Sequence, residues 1–94
     1  MRRLERRRAP LSAARVGWCL LGPARMHATL TTGRIVSKRD GARHAIEAFP
    51  AHAPILRLAL ARLDREPLPA APPANEWRDR TVACMRDIIG VALG

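Results

Sequence analysis

The stretch ARMHATLTTGRIVSK, residues 24–38, holds both the end of one helix and the beginning of another. Gly33 supplies a helix stop, because glycine enters the left-handed conformation without steric cost. Ile35 and Val36 form a short extended piece. Ser37 then offers a hydroxyl to a helix N-terminus, and Asp40, three residues on, complements the positive end of that helix in a variant of the capping box. Two helices joined by a short link are the first commitment of the chain.

The pattern extends outward on both sides. Residues 11–32 are helical in tendency, with Val16, Leu20, Ala24, His27 and Leu30 at steps of three or four along one side. Gly22-Pro23 should kink or split this helix. The helix begun at Ser37 carries the stripe Ala42, Ala45, Ile46 and Phe49 and ends at Pro50. A third helix is expected from Ala53 to Arg65 on Leu56, Ala59, Leu60 and Leu63, with Pro54 tolerated in its first turn. Residues 66–73, EPLPAAPP, hold four prolines and read as an extended connector. A last helix, residues 75–93, presents Trp77, Thr81, Cys84, Met85, Ile88 and Ala92 on one side.

Composition agrees with an all-α chain. Of 94 residues 48% are hydrophobic and only 3% aromatic, so the core must come from Ala, Leu, Ile and Val, which suits closely packed helices. The length allows one modest core. The expected architecture is therefore a small helical bundle of about four helices with a Pro-rich connector, spanning residues 11–94. Trp18 and Trp77 are expected as core anchors.

Much of the formal charge of +9 sits in MRRLERRR, residues 1–8, where five Arg face one Glu, and residues 1–10 read as a basic, disordered arm ended by Pro10. Arg outnumbers Lys sixteen to one, a bias that codon usage explains as readily as anion binding. Cys19 and Cys84 lack any zinc spacing and read as small buried hydrophobes of a reducing cytoplasm. The apolar run after the basic arm is interrupted by Arg15 and closed by Pro23, which argues against a signal peptide. No segment approaches the roughly 20 apolar residues of a membrane span. Cytoplasmic residence is expected.

Chemistry points to the start of the second helix. Unpaired N–H groups and the helix dipole make a helix N-terminus an anion site, and Lys38, the single lysine, adds a mobile cation there. The plain alternative is a solvated surface residue. The spacing is not that of a P-loop, whose second glycine is missing. His27, His44 and His52 show no metal-ligand pairing and read as surface or half-buried residues. Ser12, Ser37 and the cysteines lack an adjacent base or a nucleophile elbow, so no catalytic residue is assigned.

The order Trp18, Gly22, Ala24-Arg25-Met26, Thr32-Gly33-Arg34-Ile35-Val36-Ser37-Lys38, Ala42, Ala45, Glu47, Pro50 resembles the C-terminal helical domain of aminoglycoside adenylyltransferases of the streptomycin and spectinomycin type. The likeness runs from Trp18 to Leu63 and more weakly to Gly90. In that family a nucleotidyltransferase catalytic domain with a Gly-Ser motif and paired aspartates binds ATP and Mg²⁺. It transfers AMP to a hydroxyl of the aminoglycoside in the cleft against the helical domain, an antibiotic-resistance activity.

The resemblance implies that Arg25 and Lys38, with Ser37 beside them, contact the ATP phosphates, where cations would help neutralise the leaving pyrophosphate. This sequence contains no Gly-Ser followed by Asp-x-Asp, so the 94 residues are expected neither to bind ATP and Mg²⁺ alone nor to be active without a catalytic-domain partner. The acidic drug-contacting position of the family is Arg15 here, a charge reversal. The rival reading is a small basic helical module whose N-terminal run contacts nucleic acid. Against it stands the lack of aromatic or amide residues near that run.

Overall fold

The sequence folds as it does because its helix ends are written in local chemistry. The computed structural model describes residues 11–68 and 72–93. The basic arm at 1–10, the middle of the connector at 69–71 and Gly94 lie outside the described residues.

Helix α1 spans Ala13–Thr32. It starts at a cap the sequence reading did not use: Ser12 Oγ accepts the Arg15 N–H at 3.1 Å. A serine cap is worth about 1 kcal/mol. Gly22-Pro23 does not split the helix; it runs through Pro23 unbroken. One ladder bond is lost there because proline has no N–H. Gly22 eases the passage, since a residue before proline is disfavoured in the helical region by contacts of its own Cβ. At the far end Gly33 adopts φ +75° and donates its N–H to Thr29 O at 2.8 Å, which is the expected stop.

Helix α2, Lys38–Ala48, opens at the expected cap: Ser37 Oγ accepts the Asp40 N–H at 3.0 Å. It ends at Phe49, and Pro50–His52 form a single 3₁₀ turn. Helix α3, Ala53–Leu63, stops two residues earlier than the pattern suggested. Arg65 takes φ 58°, its N–H reaching Arg62 O at 3.3 Å while the Glu66 N–H reaches Ala61 O at 2.9 Å. This pair of bonds is a Schellman ending with arginine where glycine is usual. After the connector a 3₁₀ turn, Ala74–Glu76, leads into α4, Trp77–Leu93. No strand occurs among the described residues.

Helix α1 is the central element and packs against α2, α3 and α4, while α2 also packs on α3. The core contains Val16, Leu20, Ile55, Leu56, Leu58, Cys84 and Ile88, each at most 1% exposed. Full burial of such side chains stabilises by about 1.5–3 kcal/mol each. Between them lie Ala24, Ala42, Ala45 and Ala59, all inaccessible, whose small size lets the helix backbones approach closely. The closest approach is at Gly41. A Cβ built there would lie 2.8 Å from Arg25 Cα and 3.0 Å from Arg25 N. Glycine is required at 41 by the neighbouring helix and not by its own backbone.

Two apolar residues depart from expectation. Trp18 is 79% exposed, so it is no core anchor, and Leu30 is 61% exposed. Trp77 does pack on the core, its Nε1–H donating to Pro72 O at 2.8 Å. No described helix is long and apolar enough to cross a membrane.

Candidate functional site

The Gly33 stop and the Ser37 cap fix a five-residue link between α1 and α2, and Arg25 straps that link down. Arg25 lies one helical face away from the core on α1 and is exposed. Its Nε–H donates to Val36 O at 2.7 Å. A guanidinium has five N–H donors, so four remain for another acceptor. Thr32 reinforces the turn, its hydroxyl donating to Ala28 O at 2.7 Å and accepting the Arg34 N–H at 3.3 Å.

Ser37 spends its oxygen lone pairs on the Asp40 N–H and keeps its own O–H free to donate. Lys38 is the first residue of α2, exposed, and has no acidic partner among the described residues. Its neighbour Arg39 is bound instead, donating to Asp64 Oδ1 from both Nε, at 2.7 Å, and Nη2. That hydrogen bond raises the Arg39 pKa beyond its ordinary range, with Asp64's charge adding to the effect. The pair pins the start of α2 to the end of α3.

Between α1, the start of α2 and α3 lies an open cavity of about 390 Å³, lined among others by Gly17, Trp18, Leu21, Lys38, Ala59 and Arg62. Its charged lining residues are both cations. Farther along α1 a second, shallower cavity is lined by Gly22, Arg25, Met26, Thr29 and Leu30. Gly22 borders both, so the two form one concave strip along the exposed side of α1.

The structure therefore joins Ser37 and Lys38 at one helix start and ties Arg25 to them through Val36. It sets Arg25 and Lys38 in adjacent cavities rather than the same one. Sequence reasoning missed Arg62, which reaches the Lys38 cavity from a helix 24 positions away in sequence. Its one signal in the sequence is that Arg62 falls outside the apolar stripe Leu56, Ala59, Leu60 and Leu63. At the near end of the strip the Arg15 guanidinium lies over the Trp18 ring, 6.0 Å from its centroid, a weak cation–π contact at this exposure.

The remaining titratable groups stand apart from this strip. His27 is buried, against expectation, with its ring 5.2 Å from His44 and 5.1 Å from Phe49. Burial lowers its pKa, and the charge of His44 lowers it further. The Nδ1 atoms of both rings are buried without a hydrogen-bond partner in the described protein. His52 is half-buried and pairs with Asp87 at 2.7 Å. Burial, with Asp87's charge adding, pushes the Cys84 thiol up to about 12, while Cys19 is only half-buried. No group of three His, Cys, Asp or Glu side chains suited to a metal ion occurs among the described residues.

Comparison with known families gives a match between residues 7–84 and the model for the aminoglycoside adenylyltransferase C-terminal domain. No curated protein and no solved structure matches the chain.

Proposed function

We propose, from the premise that this chain belongs to the family of aminoglycoside adenylyltransferase C-terminal domains, that its helices form the phosphate-gripping wall of an adenylyl-transfer site. The observation that carries the reading is Lys38: an unpaired cation at a capped helix start, held against a concave strip by the Arg39–Asp64 pair. The opposite wall is a nucleotidyltransferase domain, on the same polypeptide or another.

In this reading AMP passes from ATP to a hydroxyl of an aminoglycoside, and the chain's own residues act on the phosphates. Lys38 supplies a mobile positive charge, Ser37 a hydroxyl donor, and Arg25 its free N–H groups once Nε has fixed the link. These donors fit phosphate oxygens. They do not fit Mg²⁺, which needs oxygen ligands that the charged lining residues do not offer. The metal belongs with the catalytic domain, and the 94 residues alone transfer no AMP. The exposed side of α1, with Trp18, Met26 and Leu30, is the surface that faces that domain. ATP as donor places the working enzyme in the cytoplasm, where it would serve antibiotic resistance.

Calorimetric titration of Mg-ATP, with and without a separately expressed nucleotidyltransferase domain of the family, tests the reading. Binding is expected to tighten when both parts are present and to weaken about tenfold with Lys38→Ala, the order of one charge-assisted contact. Equal binding by wild type and variant in the presence of that domain would overturn it.

A further inference from the structure

We infer that Arg62 is a second polyphosphate-contacting residue, acting opposite Lys38 across the cavity between α1, α2 and α3; this rests on the phosphate-gripping reading above. Lys38 and Arg62 arrive from different helices and line the same concavity, whereas Arg25 lines its neighbour. Neither has an acidic partner among the described residues. The carboxylates at this end, Asp64, Asp40 and Glu66, act on Arg39, and none of them lines the cavity.

Two like charges brought to one hollow repel each other, and the fold does nothing to neutralise them there. An anion with several oxygens relieves that repulsion, which makes the pocket complementary to a chain of phosphates rather than to a cationic or neutral molecule. The two helix ends that carry the cations are held together, because Arg39, the residue after Lys38, is tied to Asp64, two residues beyond Arg62. Gly17, Leu21 and Ala59 form an apolar floor that offers no carboxylate to compete with phosphate for the two cations, and the Trp18 ring walls one side. Arginine suits this place, since its planar fork can hold two phosphate oxygens at once while lysine acts as a point charge. The occupant is the triphosphate of the nucleotide donor.

The probe is inorganic tripolyphosphate, titrated at millimolar concentration into the isotopically labelled 94-residue chain and followed by amide, Arg Nε–H and indole N–H NMR shifts. Millimolar affinity is too weak to make the chain an ATP-binding protein by itself. Saturable shifts are expected at Lys38, Arg62 and the Trp18 indole. Affinity should fall about fivefold in Arg62→Ala, recover in part in Arg62→Lys, and stay unchanged in Arg57→Ala, a surface substitution on the same helix. Loss of affinity in Lys38→Ala with none in Arg62→Ala would overturn the role of Arg62 and leave the phosphate-gripping reading standing. No saturable shift in the wild type, or shifts that ignore both substitutions, would overturn both.

Discussion

Replacing Gly41 by alanine sets two known effects against each other, and the structure says which wins. Glycine inside a helix costs about 1 kcal/mol relative to alanine, so propensity alone favours the substitution. The new Cβ, however, would stand 2.8 Å from Arg25 Cα and 3.0 Å from Arg25 N. Carbon atoms pack best at about 3.5–4.0 Å, and the opposing atoms are backbone, unable to rotate aside. Helices α1 and α2 must separate, and overpacking of this kind costs about 1–3 kcal/mol. Its upper range applies here, leaving a net loss of about 1–2 kcal/mol. At the 4–8 °C per kcal/mol typical of domains this size, the melting temperature should fall by about 5–15 °C. Gly90→Ala, on α4 with nothing within 4 Å of its built Cβ, is the control and should raise it slightly. Thermal unfolding followed by circular dichroism at the helical band reads both. A Gly41→Ala protein as stable as wild type would refute the claimed backbone contact between α1 and α2.

Other consequences concern single groups. Because the His27 pKa lies below its ordinary 6.5, chiefly through burial and then through His44, the unfolded chain takes up its proton more readily. The stabilising contribution is present above pH 6.5 and is lost as pH falls below it; melting temperature should drop from pH 7.5 to 5, and His27→Leu should flatten that profile. Arg65→Gly removes a left-handed arginine at φ 58° and should stabilise by about 0.5–1 kcal/mol in denaturant unfolding, no change refuting the strained ending. Native protein should show one thiol reactive to a maleimide, Cys19, with Cys84 reacting only after denaturation. Two reactive thiols in the folded state would contradict the packing of α4.

What the sequence disclosed were features made by neighbours in the chain. The Gly33 stop, the Ser37 cap and the break at Pro50 depend on local sterics and nearby hydrogen bonds, and each stands where the residues put it. Helix α3 ends before its sequence signals it, because the ending uses arginine, which carries no left-handed signature. Hydrophobicity alone assigns Trp18 to the core, whereas helix geometry turns it outward. It is two residues from both Val16 and Leu20, about 200° around the helix from the core stripe. The Gly41 contact and the Arg62 wall unite residues distant in sequence, and one chain read alone has no term for such pairs. Of the three site residues, Ser37 and Lys38 adjoin one another at the helix start. The sequence could not show that Arg25 also holds the link between helices.

The most direct test supplies a family nucleotidyltransferase domain in trans and follows AMP transfer from labelled ATP to an aminoglycoside, with this chain absent, present, or carrying Lys38→Ala. Transfer is expected only when both parts are present, reduced about 10–100-fold by the substitution, the equivalent of about 1.4–2.7 kcal/mol of lost charge stabilisation. Transfer by the catalytic domain alone at full rate, or a Lys38→Ala chain as effective as wild type, would contradict that expectation.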